Sequence, residues 1–403
     1  SSNQSNFSSK YLIIGGGMAA DSGARGIRSK DSTGRITIIS NEGLPPYTRP
    51  ALSKKLWTDK SFHEEQTNMG TEKINDLKII FNTQAISIDT KNKTVLTDQQ
   101  QKITYEKLLL ATGSRPKTIP GPKSDSVIFL RTFDDYQKIK NLSNKNKHVI
   151  VVGDSYIGTE IAAALAQNNT KVSLVIDSDR LFAQKFSQDL IDEYERRFED
   201  HNVQIIRDHR AAEYDLKNGK VQLQLTDGHV LEADGLVFGL GVDYNLELIK
   251  GTEIKHDEKS VKVDKYLKTS VDDVWAAGDI IDYPDAIIGP NQSAHVDQAN
   301  YSGFTAGENM TGAQIAYRHT PYFYSRVFGI SWNALGHISS DLDIYKEPEL
   351  TAKQNIFYYF DKNELLVGIL LWNGTVDLDH FRNLLAGKPK LADLRKVLQL
   401  DRQ

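Results

Sequence analysis

Cysteine is absent from the 403 residues of this chain. Its absence excludes disulfides, thiolate metal ligands and redox-active dithiols, so any redox chemistry has to come from bound cofactors. No metal site is predicted. Long hydrophobic runs are also absent, because the longest, Leu365 to Trp372, is far shorter than the roughly 20 residues needed to cross a bilayer. That run predicts a buried strand.

The chain has no large excess of charge of either sign. Its formal net charge is −4, so we expect no nucleic-acid partner and no binding to an anionic membrane. The polar segment Ser1 to Lys10 lacks the apolar core of a signal peptide and predicts a disordered lead-in or a trimmed end. Without a targeting or membrane segment, we expect a cytoplasmic protein.

A glycine-rich motif occurs twice. Gly15-Gly16-Gly17-Met18-Ala19-Ala20 follows the apolar run Tyr11 to Ile14, and Gly153-Asp154-Ser155-Tyr156-Ile157-Gly158 follows His148 to Val152. Both lie where a strand turns into a helix and backbone N–H groups can face a pyrophosphate. One copy would fit an ordinary strand-to-helix turn equally well. Two copies about one domain apart predict two dinucleotides and electron transfer between them.

In the first motif each small residue has a distinct role. Gly15 permits the tight turn, Gly17 lets the backbone approach the pyrophosphate, and Ala20 permits close packing of helix on strand. A ribose-binding acidic residue is expected about 20 positions later, where Asn41 and Glu42 stand. Either could bind the ribose, and Glu42 could instead belong only to a surface turn.

The second motif departs from the usual pattern. Ser155 replaces the middle glycine and Asp154 adds a carboxylate, so the expected affinity is lower. Asp177 occupies the ribose-binding position and favours NADH over NADPH, because a carboxylate repels a 2′-phosphate. Asp179 and Arg180 stand nearby and leave this preference open.

The order of elements predicts one domain inserted in another. A first dinucleotide domain runs to the strand Lys107 to Ala111, a second begins at about Val127, and the strand before Asp279 returns to the first. Short aromatic strands follow from His319. We therefore expect an α/β protein with two Rossmann-like domains and an α+β C-terminal domain. The predicted boundaries are 1–126 and 251–318 for the first domain, 127–250 for the second and 319–403 for the last.

Five segments together carry a family resemblance. They are Gly15-x-Gly17-x-x-Ala20, Pro46 to Lys54, Ala111-Thr112-Gly113, Tyr156-Ile157-Gly158-x-Glu160 and Ala276-Ala277-Gly278-Asp279. With them the chain resembles the FAD-dependent pyridine nucleotide oxidoreductases. Within these it is similar to the branch of ferredoxin and rubredoxin reductases, apoptosis-inducing factors and monodehydroascorbate reductases. The resemblance implies that the first domain binds FAD and the inserted domain binds NAD(P)H, with NADH preferred.

The resemblance also implies roles for individual side chains. Arg49 would pair with the FAD pyrophosphate, and Asp279 would accept a hydrogen bond from the ribityl chain. Lys54 and Glu160 would form a catalytic ion pair beside flavin N5, unless Lys54 is a solvated surface charge. Tyr156 would cover the flavin face, unless it is a packed aromatic.

A helix predicted from Ser293 to Glu308 would direct its positive end at the flavin, with His295 in its first turn. His295 is a candidate to contact flavin or nicotinamide, and equally a structural histidine. The remaining predicted cofactor contacts are Ala111, Thr112, Gly113, Arg131, Gly153, Ile157, Gly158, Gly241, Gly278 and Trp372.

The implied activity is transfer of hydride from NAD(P)H to FAD and of electrons onward. We expect a ferredoxin- or rubredoxin-type protein as acceptor, with a small oxidant, a quinone or a monodehydroascorbate-type radical, as the alternative. Another alternative is a binding protein of the apoptosis-inducing type, whose association changes on reduction by NADH. Pro321 to Arg326 resembles the monodehydroascorbate reductases, whereas Gly368 to Asn373 resembles the apoptosis-inducing factors. A homodimer is compatible with all of these.

Overall fold

A computed structural model describes residues 6–47, 68–130, 133–143, 147–154, 156–285, 289–291, 296–318, 322–348, 354–374 and 377–403. The strands are β1 Phe7–Ile14, β2 Ile36–Ile39, β3 Leu77–Ile80, β4 Ala85–Asp89, β5 Thr94–Thr97, β6 Lys102–Leu110, β7 Ser114–Pro116, β8 Val127–Phe129, β9 His148–Val152, β10 Lys171–Val175, β11 Val203–Ile206, β12 Ala211–Lys217, β13 Lys220–Leu225, β14 Val230–Ala233, β15 Gly235–Phe238, β16 Val242–Tyr244, β17 Val261–Lys262, β18 Val274–Ala276, β19 Ile281–Asp285, β20 Gly289–Asn291, β21 Tyr322–Val327, β22 Ile330–Gly336, β23 Asp343–Lys346, β24 Asn355–Phe360, β25 Leu366–Trp372 and β26 Asp401–Arg402. The helices are α1 Met18–Lys30, α2 Phe133–Leu142, α3 Tyr156–Gln167, α4 Gln188–Asp200, α5 Glu247–Lys250, α6 Val296–Met310, α7 Leu378–Ala386 and α8 Leu391–Leu398.

The first large sheet has the strand order β3-β2-β1-β6-β5-β4, with β18 beside β6. Strands β3, β2, β1, β6 and β18 run parallel, and Ile14 at the end of β1 lies opposite Ile39 and Leu110. The apolar side chains of β2, β6 and β18, and of β1 from Tyr11 onward, are buried, as expected for a sheet covered on both faces, whereas those of the edge strand β3 are partly buried. The pairing of β18 with β6 confirms that the chain returns to the first domain after the insertion.

The prediction of a disordered lead-in for residues 1–10 is wrong for the second half of that segment. Strand β1 begins at Phe7, which lies opposite Ile103 of β6. The physical reason is that backbone hydrogen bonds need no apolar side chain. Buried Ser9 is satisfied locally, since its hydroxyl donates to the Tyr11 carbonyl at 2.9 Å and accepts from the Thr37 hydroxyl at 2.9 Å.

The inserted domain contains a second parallel sheet, in the order β11-β10-β9-β15-β8. Its central strands β9, β10 and β15 are buried along nearly their whole length, which confirms a second Rossmann-like domain. A separate antiparallel sheet, β12-β13-β14, belongs to the same part of the chain and was not predicted. Its signals were the turn dipeptides Asn218-Gly219 and Asp227-Gly228.

The C-terminal part forms a six-stranded sheet in the order β21-β22-β25-β24-β23-β26, followed in the chain by α7 and α8 before β26. This arrangement confirms the predicted α+β domain, and β25 is the expected buried strand. The helix predicted from Ser293 to Glu308 is α6, which ends at Met310. The four residues before it lie outside the described residues.

The chain separates into two compact units. Described residues of 6–115 and 243–322 form one, and those of 116–242 and 323–403 form the other. The second unit therefore combines the inserted domain with the C-terminal sheet, and the four predicted domain ranges stay predictions. Within the described residues, no helix has both the length and the apolar character that crossing a membrane requires.

Candidate functional site

The first glycine turn is fixed by the strands on either side of it. Gly15 donates its N–H to the Ile39 carbonyl at 2.9 Å, and Ala111 donates to the Ile14 carbonyl at 2.9 Å. Gly15 has φ +142°, and a Cβ placed on it would lie 2.0 Å from the Ala111 carbonyl oxygen. Only glycine fits this position, which brings the backbone of the turn against the end of β6.

Helix α1 begins immediately after this turn. Its N-cap is Gly17, which has no side chain to cap the first N–H groups. Uncapped N–H groups and the positive end of the helix attract an anion. The Gly15 turn and the uncapped start of α1 therefore fit the pyrophosphate of a dinucleotide.

Helix α1 is held in place by direct backbone contact with α6. A Cβ on Gly26 would lie 2.1 Å from the Phe304 carbonyl oxygen, and one on Gly307 would lie 2.1 Å from that of Gly23. Ala20, predicted to allow close packing, is fully buried in the same helix. Glycines at these crossing points bring the two helices closer than side chains would allow.

The 3-10 turn that follows β18 contains two of the predicted site residues, Gly278 and Asp279. Gly278 has φ +82°, and its N–H donates to the Ser302 hydroxyl of α6 at 2.9 Å. Half-buried Asp279 accepts a hydrogen bond from the Ser114 hydroxyl at 2.9 Å. Sequence reasoning missed Ser114 and Ser302, because neither belongs to a motif that it recognised.

The segment Ala111 to Gly113 is held by Asn245, which was also not predicted. The Asn245 amide donates to the Thr112 carbonyl at 2.9 Å, and the Thr112 hydroxyl donates to the Asn245 carbonyl at 2.6 Å. The Asn245 N–H donates to the Gly113 carbonyl at 2.9 Å. These three bonds fix the backbone that follows β6.

The two candidates for the first ribose differ in their surroundings. Glu42 is half-buried, and its carboxylate accepts a hydrogen bond from the Tyr47 hydroxyl at 3.4 Å. Asn41 is exposed. Glu42 is thus the more constrained of the two at the carboxyl end of β2.

The second glycine turn repeats the hydrogen bonding of the first. Gly153 donates to the Val175 carbonyl at 2.9 Å, and Gly239 donates to the Val152 carbonyl at 2.7 Å. Gly153 has φ +113°, and a Cβ on it would lie 2.2 Å from the Gly239 carbonyl oxygen. The chain therefore contains two glycine turns of the same construction.

Asp177 lies beyond the end of β10, where the second ribose is expected, and forms an exposed ion pair with Arg210. The Asp177 carboxylate accepts from Arg210 Nε at 2.6 Å. Arg180, which left the coenzyme preference open, is engaged elsewhere. Its guanidinium donates to Glu195 at 2.9 Å and to Asp192 at 2.6 Å.

Comparison with known proteins places the chain among redox enzymes. The family model described as pyridine nucleotide-disulphide oxidoreductase matches residues 9–303. The chain belongs to this family. A second model, for the C-terminal domain of monodehydroascorbate reductase 3-like proteins, matches residues 320–401.

Relatives and solved structures agree with this assignment. A monodehydroascorbate reductase from Solanum lycopersicum is 30% identical over 395 residues, covering 91% of this chain and 91% of that protein. The structure of the covalent putidaredoxin reductase–putidaredoxin complex superposes with a TM-score of 0.86 at 21% identity, covering 96% of this chain and 95% of that one. A ferredoxin reductase from Rhodopseudomonas palustris has a TM-score of 0.82 at 24% identity, covering 97% and 100%. These two structures share the fold.

This pyridine nucleotide-disulphide oxidoreductase is an FAD-dependent NAD(P)H oxidoreductase. Bound FAD supplies the redox chemistry that the cysteine-free chain lacks, since it takes up hydride and releases electrons singly or in pairs. The Gly15 turn with Asp279 is the predicted position of FAD and the Gly153 turn with Asp177 that of NAD(P)H, and both positions stay predictions.

The predicted catalytic carboxylate of this oxidoreductase is deeply buried. Glu160 in α3 is 3% exposed and accepts a hydrogen bond from the Ser325 hydroxyl of β21 at 2.7 Å. Its predicted partner Lys54 lies outside the described residues, so the ion pair stays a prediction. Ser325 was not anticipated, although it stands in the segment that resembles monodehydroascorbate reductases.

Trp372 was predicted to contact a cofactor, but its side chain is enclosed by the protein core. It has no exposed surface, and its ring packs edge-on against Phe186 at 5.4 Å and Tyr194 at 6.0 Å. The physical reason is that β25 directs this side chain into the core shared by the inserted domain and the C-terminal sheet. Trp372 is a core residue in this structure.

The remaining predicted contacts divide into two groups. Gly158 is buried in α3, Ile157 is 37% exposed, and Gly241 has φ +91° with open space around it. The others lie outside the described residues, namely Arg49, Arg131, His295 and the side chain of Tyr156. The roles predicted for both groups stay predictions.

Proposed function

We propose that this enzyme passes electrons from NADH, through FAD, to a small organic radical of the monodehydroascorbate type. The observation that carries the proposal is the C-terminal segment, where residues 320–401 match the monodehydroascorbate reductase 3-like domain. Similarity to the tomato monodehydroascorbate reductase across 91% of both chains supports it. One NADH supplies two electrons and one proton as hydride, so each cycle would reduce two radicals by one electron each, and the second of the two protons that they take up would come from solvent.

The charge of the C-terminal segment also favours a small acceptor over an acidic iron–sulfur protein. Residues 319–403 contain ten Lys and Arg and ten Asp and Glu. A balanced surface gives little long-range attraction to an acidic protein partner, because steering depends on complementary charge. A ferredoxin- or rubredoxin-type acceptor stays a prediction, and shared fold alone does not distinguish the two.

Steady-state kinetics with alternative acceptors tests the proposal. NADH oxidation is followed with monodehydroascorbate generated from ascorbate by ascorbate oxidase, with a ferredoxin and with a quinone, each corrected for oxidase activity. We expect the highest kcat/KM with the radical. Fast reduction of ferredoxin without radical turnover would contradict the proposal. Slow reoxidation with every acceptor would contradict it in favour of an NADH-responsive binding protein.

We also propose that NADH is the preferred coenzyme. The Asp177 carboxylate would accept hydrogen bonds from the ribose hydroxyls of NADH and repel the 2′-phosphate of NADPH. The same carboxylate engages Arg210, the nearby cation best suited to bind a phosphate. Arg180 is held by two carboxylates of α4, so it does not compete for this role.

Replacing Asp177 tests this coenzyme preference. Asp177→Ala removes the repulsion and releases Arg210, so the ratio of kcat/KM for NADH over NADPH should fall by about tenfold or more, equivalent to about 1.4 kcal/mol. Adding Arg210→Ala should reverse part of that fall, because the phosphate partner is then lost. Preference for NADPH in the unmodified enzyme would contradict the assignment. A cytoplasmic location and a homodimer stay predictions.

A further inference from the structure

Three side chains with metal-binding atoms meet at one end of the inserted domain. His209 lies between β11 and β12, and Asp227 and His229 lie on the turn that joins β13 to β14. Their ligand atoms all lie within 4.8 Å of one another. No other group of three such residues occurs in the part of the chain that the structure describes. Sequence analysis predicted no metal site, because these residues follow no familiar ligand spacing.

One nitrogen of each histidine lies close to the same carboxylate oxygen of Asp227. Asp227 Oδ2 lies 3.0 Å from His209 Nε2 and 2.8 Å from His229 Nδ1. A tetrahedral zinc site with bonds of about 2.0–2.2 Å places its ligand atoms about 3.3 Å apart. Small side-chain rotations would therefore bring these atoms to metal-binding distance.

The other ring nitrogen of His209 fixes which nitrogen faces the cluster. His209 Nδ1 contacts the Arg207 carbonyl, and because a carbonyl only accepts, Nδ1 carries the proton. Histidine ligands are commonly oriented by such a bond. Nε2 then faces the Asp227 carboxylate, and its lone pair is available to a cation bound between them.

Backbone hydrogen bonds hold the turn and the neighbouring loop in place. Gly228, at φ +93°, donates to the Leu225 carbonyl at 3.0 Å, and Leu225 donates to the His229 carbonyl at 2.8 Å. Thr226 donates to the Arg210 carbonyl at 2.9 Å, which joins the turn to the His209 loop. The Asp227 carboxylate also accepts the His229 N–H at 3.0 Å. The ligands therefore need little rearrangement before binding.

We propose that His209, Asp227 and His229 bind a divalent transition-metal ion, with Zn²⁺ as the representative case. Two imidazoles and one carboxylate suit Zn²⁺, Cu²⁺ or Ni²⁺ rather than Mg²⁺ or Ca²⁺. Their side chains are 27%, 44% and 74% exposed, in the order His209, Asp227, His229, so the ion exchanges with solvent and keeps a position for water. The proposed metal site does not depend on which electron acceptor the enzyme uses.

Calorimetric titration of Zn²⁺ into the chelator-treated, FAD-loaded enzyme tests the site. We expect one ion per chain, with affinity reduced about tenfold or more in His229→Ala and Asp227→Ala. Both residues lie on an exposed turn, so the variants should fold. His380→Ala, which removes an exposed histidine on α7, is the matched control and should bind as the unmodified enzyme does.

A spectroscopic titration gives a second readout. Co²⁺ in a four-coordinate site absorbs at longer wavelength than oxidised flavin, and those bands should be absent from His229→Ala. Failure of the unmodified enzyme to bind Zn²⁺ would overturn the proposal. So would binding that His229→Ala and Asp227→Ala leave unchanged, because the ion would then lie elsewhere.

Discussion

Gly15 and Gly153 each combine a positive φ with a carbonyl oxygen where a side chain would stand. At such positions alanine is disfavoured both by backbone strain and by overlap with a neighbouring strand. In Gly15 that neighbour is Ala111, part of the segment predicted to contact FAD. The requirement for glycine is therefore local, and we expect its loss to weaken cofactor binding.

Gly15→Ala should yield protein with much less FAD per chain, measured as the ratio of flavin to protein absorbance after purification. The Cβ would have to move the Ala111 carbonyl and so distort the pyrophosphate turn. Gly219→Ala is the control, because Gly219 has φ +75° but nothing within 4 Å of a Cβ. That variant should keep its FAD and lose about 1–3 kcal/mol of stability. Full FAD content in Gly15→Ala would show that the turn is not the binding site.

Among the elements, α4 is joined to the loop after β10 and to the end of β11 by one buried carboxylate. Glu195 accepts hydrogen bonds from Arg180 at 2.9 Å, Arg207 at 2.7 Å and the Leu181 N–H at 2.8 Å. Burial alone would raise the pKa of Glu195, but the bonds from Arg207, Leu181 and Arg180 outweigh it and lower the pKa below its usual 4.5. The charged form is thus favoured by folding.

A lowered pKa in the folded state stabilises the protein above the unfolded pKa. That stabilisation is complete above pH 4.5 and is lost as the pH falls through the folded pKa. We expect Glu195→Gln to reduce stability at neutral pH by about 3 kcal/mol and to flatten the loss of stability below pH 4.5, both measured by urea unfolding. Glu199→Gln, one turn later on α4 and more exposed, should change neither. Equal pH profiles for Glu195→Gln and the unmodified enzyme would refute the role of Glu195.

At the scale of the molecule, one aromatic core joins the inserted domain to the C-terminal sheet. Phe182 and Phe186 pack against Trp332 at centroid distances of 6.0 and 5.4 Å, and Phe186 also packs against Trp372. These rings come from segments far apart in sequence and lie in one cluster of buried residues. The two parts should therefore unfold together.

Substitutions of Trp372 distinguish its role in this core from the predicted contact with a cofactor. Trp372→Ala should cost about 3–5 kcal/mol through lost burial and cavity formation, in a single transition followed by circular dichroism. Trp372→Phe should be milder and should leave the flavin absorbance spectrum unchanged. A shifted flavin spectrum in Trp372→Phe, with stability intact, would instead support contact with the cofactor.

The sequence by itself determined the two Rossmann-like domains, the return of the chain through β18 and the C-terminal α+β domain. It could do so because the apolar runs and glycine turns are local, and their physical requirements are met within a few residues. The same locality identified Gly15, Gly153 and Asp279 as candidates.

Only the tertiary structure decided what surrounds those residues. Asn245 beside Thr112, Ser325 beside Glu160 and the group formed by His209, Asp227 and His229 each join segments separated by 18 residues or more. Trp372 was likewise predicted as a cofactor contact from the sequence, and it lies in the core because of its place in β25. Such contacts depend on how strands and loops meet in space, and no periodicity or spacing encodes that meeting.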